Sequence, residues 1–160
     1  MAIVHLICGK ICSGKTWFSR KLSQETGAVI LSCDERMLAI KPDGLFGDQH
    51  ERIAERVQKE LLDESLQLTA IGESVILEWG FWTRQSRTEI ADFYRANRRE
   101  VLWHYIDVAD EQWLQNIDHR NEAVRAGKEV AYIVDAELKK KLERLFEVPT
   151  SDEIDLWHKC

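Results

Sequence analysis

In Gly9-Lys10-Ile11-Cys12-Ser13-Gly14-Lys15-Thr16, residue type and spacing imply chemistry most directly. The segment fits G-x-x-x-x-G-K-[ST] in full, follows an apolar run and opens a helical pattern, which is the context a phosphate-cradling loop requires. Its glycines let the backbone curl so that successive N–H groups and the positive end of a helix face an anion. Lys15 then reaches the β- and γ-phosphates, and the Thr16 hydroxyl is a ligand for Mg²⁺, which favours oxygen donors and substrate phosphates. The chain has no N-K-x-D for guanine and no D-x-x-G after its third apolar run, so the expected nucleotide is ATP. The chain is also too short for a motor or helicase core.

Charged and aromatic residues cluster after the other apolar runs. Asp34, in Leu-Ser-Cys-Asp-Glu-Arg-Met, is the candidate general base for an attacking hydroxyl, and its competing role is N-cap of a short helix over Glu35 to Ala39. Arg36 is a candidate for an acceptor phosphate. Glu78, ending Ser-Val-Ile-Leu-Glu, is a second carboxylate beside the loop, suited to Mg²⁺. Trp79, Phe81 and Trp82 can wall an acceptor pocket, with Arg84 and Arg87 opening the next helix as forks for an anion or as solvated side chains. Arg120, with Arg125 behind it, is placed to neutralise charge developing on a γ-phosphoryl group from a mobile lid spanning about 115–133.

These groups need a scaffold that brings them to one edge. Ala2 to Cys8, Ala28 to Leu31, Ser74 to Glu78 and Glu100 to Val108 are short apolar runs of the kind found in strands buried on both faces. Helical patterns lie between them: Thr16 to Glu25 stopped by Gly27, Ile53 to Leu68 stopped by Gly72, a turn set around Ile90, Phe93 and Tyr94, and Trp113 to Val124. A last helix carries Leu138, Leu142 and Leu145 after an Asp135 N-cap. Strand and helix alternating in this way predict an α/β fold, a mostly parallel sheet with helices on both faces. Right-handed crossovers place every strand's carboxyl end on the edge where such sheets bind ligands.

The 160 residues form one expected domain, 1–160, large enough to bury about 70% of the unfolded surface without a staple. With 44% apolar and 31% charged residues the composition is that of an ordinary globular chain, and 22 basic against 28 acidic residues give a net charge of −6. That balance disfavours a nucleic-acid-coating face or an anionic-membrane anchor, although Arg84, Arg87, Arg98 and Arg99 are the residues from which a local basic groove would be built. No run is long enough to span a bilayer and no signal peptide precedes the first strand, so the expected location is the cytoplasm. Cys8, Cys12, Cys33 and Cys160 have no metal-ligand spacing and read as reduced thiols.

Taken together, these motifs resemble the P-loop kinase-like proteins grouped with polynucleotide kinase, chloramphenicol phosphotransferase and zeta toxins. The resemblance is strongest to an uncharacterised bacterial branch of ATP-binding proteins. It runs from the phosphate loop through Leu31 to Met37, Val75 to Arg84, Leu102 to Val108, Arg120-Asn121 and Phe146 to Glu153. It implies a three-layer P-loop NTPase fold of the nucleoside-monophosphate-kinase type with a small lid, Asp34 as base, Arg120 in the lid and adenine contacts near Pro149. The branch carries tryptophan at the position of Arg36 and aspartate at that of Glu78, which changes the acceptor pocket's shape and lengthens the metal-side carboxylate by one methylene. The activity implied is ATP- and Mg²⁺-dependent phosphorylation of a hydroxyl on a small-molecule acceptor. The alternatives are an ATP-binding switch with little catalysis and a polynucleotide 5′-hydroxyl kinase.

Overall fold

A computed structural model describes residues 1–41, 47–129 and 131–160. Five strands form one sheet in the order β2-β3-β1-β4-β5: β1 Ile3–Cys8, β2 Val29–Ser32, β3 Val75–Gly80, β4 Glu100–Asp107 and β5 Leu156–Lys159. All four pairings are parallel, and the central strands β1 and β3 are the most deeply buried. Period-two alternation sends Val4, Leu6 and Cys8 to one face and Ile7 to the other. The first face packs on α3 (Gly47–Ala70) and α4 (Arg84–Ala96) through Val57, Leu61 and Tyr94, and the second on α1 (Lys15–Thr26) through Phe18 and Leu22. Each such aliphatic side chain contributes about 1.5–3 kcal/mol on burial.

Two further helices, α5 (Asp110–Arg125) and α6 (Ala136–Leu145), share a separate cluster at the carboxyl end of the sheet. There Trp113, Ile117, Val134 and Leu142 pack with Ile11 and Cys12 of the phosphate loop. Asp135 caps α6 as expected, its carboxylate accepting the Leu138 N–H at 2.7 Å. The short α2 (Cys33–Ile40) departs from expectation in its cap. Ser32 fills that role, its hydroxyl accepting the Glu35 N–H at 3.3 Å, so the Asp34 carboxylate is not spent on the helix end.

No sequence pattern marks β5, because Leu-Trp-His-Lys is short, mostly exposed and lacks an apolar alternation. Neighbours supply what the segment lacks. The Trp103 N–H donates to the Asp155 carboxylate at 2.8 Å and the Trp157 indole N–H to that of Asp107 at 2.9 Å, fixing the register His104↔Leu156 to Asp107↔Lys159.

On the α1 side, β1, β4 and β5 carry a chain of imidazoles, His5 to His104 at 3.0 Å and His104 to His158 at 3.1 Å, covered by Phe18. Burial, reinforced by its two histidine neighbours, pushes His104 down to about 3, and burial lowers His5 and His158 as well. An imidazole held neutral in the fold takes up its proton on unfolding, so stability is full above the ordinary value of 6.5 and is lost as pH falls from there toward about 3. For a single group each pH unit in that window is worth about 1.4 kcal/mol. We expect thermal denaturation between pH 7 and 5 to show a midpoint falling by about 4 °C or more, and His104→Gln to flatten the dependence. A wild-type midpoint unchanged over that range would contradict it.

Candidate active site

The phosphate loop leaves β1 between two strand ends. The Gly9 N–H donates to the Gly80 carbonyl at 3.2 Å, and the chain turns through Cys12 and Gly14 in the left-handed region, φ 58° and 98°. At Gly14 that conformation favours glycine. The helix it opens, α1, has no side-chain cap and no acidic residue in its first turn, which leaves its N–H groups to an anion. The Ser13 hydroxyl is buried without a partner. The Lys15 ammonium donates to the carbonyls of Gly9 and Lys10, at 3.1 and 2.5 Å. Burial lowers its pKa, while the carboxylates of Glu78 and Asp34 favour its charged form.

The Thr16 hydroxyl donates to the Glu78 carboxylate at 2.7 Å, so two hard oxygens stand side by side at the mouth of the loop. The chemistry of this donor pair fits Mg²⁺, which prefers hard oxygen ligands and which Thr16 and Glu78 would hold. Among the described residues no group of three or more His, Cys, Asp or Glu forms a self-sufficient metal cage. The extra methylene of Glu78 does not take the carboxylate out of reach of Thr16.

Helix α5 clamps the loop from the other side. The Trp113 indole N–H donates to the Ile11 carbonyl at 2.6 Å and the Asn116 amide to that of Cys12 at 2.9 Å. One turn on, the half-buried Arg120 lies with Nη1 3.4 Å from the Cys12 sulfur and with a buried Nε that has no partner. A guanidinium with an unused donor against the loop is suited to a phosphate oxygen. The span 115–133 thus begins as a helix docked on the loop, and the Asn121 side chain ties it to Val134 by two hydrogen bonds of 2.7 and 2.8 Å. Position 130 within that span lies outside the described residues. Arg125 ends α5 exposed.

Next to the loop opens a cavity of about 410 Å³ lined by Asp34, Trp79, Phe81 and Trp82, four residues expected from the sequence. The walls are set by an unusual turn. Gly80 and Phe81 are both left-handed, φ 87° and 49°, and a Cβ on Gly80 would stand 2.3 Å from the Trp82 indole nitrogen, so only glycine lets Trp82 fold back there. Strain of this kind gathers at functional sites.

Three residues expected in this site stand elsewhere. Arg36 does not line the cavity; its guanidinium pairs with Glu64 at 3.0 Å on the flank of α3. Arg84 is occupied by the segment before β5, donating to Asp152 at 3.1 Å and to Thr150 at 3.2 Å, while its N–H donates to Glu147. Pro149 is buried in that same segment, where Glu147 accepts hydrogen bonds from the Arg84 N–H and the Arg87 side chain and Val148 is exposed. The basic groove does not form from the four arginines named for it. Arg99 donates to Thr69 and the Leu66 carbonyl at the far end of α3, and Arg98 lies in the left-handed turn before β4, opposite the loop edge.

Arg87 is neither solvated nor a ligand. Only 3% of its side chain is exposed, and it donates to the Phe81 carbonyl at 2.9 Å, to the Glu147 carbonyl at 3.1 Å and to Glu153 at 2.8 Å. Burial pushes Glu153 up, but the Arg87 donor and the Thr150 N–H bring it below the usual carboxylate range. Removing one partner strands the other, so Arg87→Met should destabilise by about 3–5 kcal/mol in denaturant unfolding. Arg87→Met with Glu153→Leu should recover much of that loss, and a single-variant effect below about 1 kcal/mol would contradict the pairing.

A left-handed Gly-rich loop between a buried strand and a helix, on a parallel sheet with two carboxylates at the neighbouring strand ends, defines a P-loop protein with a kinase-like fold. Residues 4–145 match the family model described as "AAA domain", and the chain belongs to that family. No curated protein matches the sequence significantly. Among solved structures, a putative kinase from Chloroflexus aurantiacus is 16% identical with a TM-score of 0.72, covering 99% of this chain and 86% of its own. A sugar kinase from Janibacter sp. HTCC2649 is 17% identical with a TM-score of 0.65 over the same shares, 99% and 86%. A chain of the Pnkp1/Rnl/Hen1 RNA repair complex is 20% identical with a TM-score of 0.71, over 90% of this chain and 44% of that one. At these identities the likeness is one of fold. No helix among the described residues is long and apolar enough to cross a membrane.

Proposed function

We propose that the protein is an ATP-dependent phosphotransferase that moves the γ-phosphoryl group to a hydroxyl of a small molecule held between Asp34 and the Trp79–Trp82 turn. The observation that carries this reading is the placement of Asp34 between two partners. It lines the acceptor cavity and lies within electrostatic reach of the Lys15 ammonium. The α1 N–H groups, the Ser13 hydroxyl and Lys15 would hold the phosphates, and Thr16 with Glu78 would hold Mg²⁺, which would screen the phosphate charge.

Asp34 accepts the acceptor hydroxyl's proton as that oxygen bonds to the γ-phosphorus, and the bond from phosphorus to the bridging oxygen of ADP breaks. The products are a phosphomonoester and ADP, with the proton on Asp34 released to solvent. Lys15 and Arg120 stabilise charge on the transferring group, so catalysis is positioning and electrostatics rather than covalent chemistry.

Incubation with γ-labelled ATP, Mg²⁺ and a deproteinised metabolite extract tests this, with Lys15→Ala as control. A labelled small molecule absent from the control is the expected result. ATP-induced thermal stabilisation with no labelled product would overturn the enzyme reading in favour of a nucleotide-binding module, and label appearing only on added oligonucleotide ends would overturn the small-molecule acceptor.

A further inference from the structure

We infer that the acceptor is an alcohol carried on a flat aromatic or heteroaromatic ring, rather than a polyol; the inference rests on the phosphotransferase reading above and names that site's substrate class. The lining of the cavity of about 410 Å³ decides it. Cys33, Met37 and Phe81 line it and are at most 3% exposed, so its floor presents sulfur, methylene and ring carbon to whatever enters. Trp79 and Trp82 line the same space half-buried, with Trp79 tilted 39° against Phe81 at 5.1 Å between centroids. Indoles placed in this way retain ring surface that a further ring can cover.

The polar groups around this space are largely engaged or left in water. The Thr83 hydroxyl accepts the Ser86 N–H at 3.1 Å and the Ser86 hydroxyl donates to the Thr83 carbonyl at 2.8 Å, both within the start of α4. Gln58 lies against the Cys33 thiol, His50 stands edge-on to the Tyr132 ring at 6.0 Å, and Glu51 and Glu55 are exposed. Among the described lining residues this leaves the Asp34 carboxylate beside the apolar floor, an acceptor for one hydroxyl. A polyol binds where each hydroxyl it desolvates meets a donor or an acceptor, and every one left unpaired weakens it. An aromatic ring needs no such partner: its area is buried on the floor, its faces and edges pair with the rings around it, and a short arm brings its hydroxyl to Asp34.

The backbone supplies a second observation. Phe81 takes φ 49°, a conformation that a side chain of its size rarely adopts. It is held there through its carbonyl, which accepts the Arg87 guanidinium at 2.9 Å and the Cys8 thiol at 3.6 Å. The buried Arg87 is in turn fixed by Glu153, so an ion pair on the far side of the turn holds Phe81 in a strained position against the cavity. With the left-handed Gly80 that lets Trp82 fold back, the turn brings three aromatic rings to one space, at a cost in strain that packing alone does not require.

The test separates a metabolite extract on a phenyl resin into a retained, ring-bearing fraction and an unretained fraction of polyols and small ions. Each is incubated with γ-labelled ATP, Mg²⁺ and the protein, with pyridoxine and thymidine as ring-bearing alcohols and glucose and gluconate as polyols. Label should enter the retained fraction, and transfer to the better ring-bearing probe should exceed that to either polyol at least tenfold; which of the two is taken separates a nucleoside from another ring alcohol. Trp79→Leu, which keeps apolar bulk but removes the ring, should raise the KM for the labelled acceptor about tenfold, Trp79→Phe should stay within threefold of the wild type, and the KM for ATP should be unchanged in both. Label confined to the unretained fraction, a polyol preferred among the probes, or an acceptor KM unmoved by Trp79→Leu overturns the inference and leaves the phosphotransferase standing. No label in either fraction or in the unfractionated extract overturns the phosphotransferase reading and the inference with it.

Discussion

Lys15→Ala should lower kcat/KM for ATP by about 10²–10³-fold and shrink the thermal stabilisation given by ATP, while the melting temperature without nucleotide stays close to that of the wild type. The ammonium is half-buried, loses part of its hydration there, and is kept charged by Glu78 and Asp34. Its donors rest on the Gly9 and Lys10 carbonyls, contacts a phosphate can replace. The α1 N–H groups survive the substitution, so weakened rather than abolished binding is expected. Steady-state kinetics with differential scanning fluorimetry would read both effects. Turnover within threefold of the wild type would remove Lys15 from the reaction.

Asp34→Asn should divide the two halves of the site. Transfer should fall by about 10²–10⁴-fold, the contribution of a positioned base, and ATP stabilisation should be retained because Asp34 lies on the acceptor side. Since Ser32 and not Asp34 caps α2, the substitution leaves the helix start intact, and the loss reads chemistry rather than folding. Unchanged transfer by Asp34→Asn would mean that another group, or water, takes the proton.

The contrast between what was legible and what was not follows sequence separation. The loop was readable because its signal is local: eight consecutive residues between an apolar run and a helix. Asp34, Glu78 and the Trp79–Trp82 turn were readable because strand ends in a parallel sheet share one edge. The roles of Arg84 and Arg87 stay open in the sequence because their partners, Asp152 and Glu153, lie 68 and 66 residues away in a segment with no periodic pattern. Arg36 likewise meets Glu64 only once α2 lies on α3. β5 is an edge strand whose register depends on side chains of its neighbour, and the histidine chain needs three strands in register before it exists. Glu51, Glu55 and Gln58 keep helical spacing in the sequence, but only the packing of α3 beside α2 brings that stripe to the cavity Asp34 lines.

The central claim, transfer of a γ-phosphoryl group to a hydroxyl in the cavity beside Asp34, is tested most directly by following ATP, Mg²⁺, the protein and a deproteinised metabolite extract by phosphorus NMR. The account predicts that the γ resonance decays while a phosphomonoester resonance grows in equal amount to ADP, and that Asp34→Asn shows neither change. ADP accompanied only by inorganic phosphate, or ATP left intact, would contradict it.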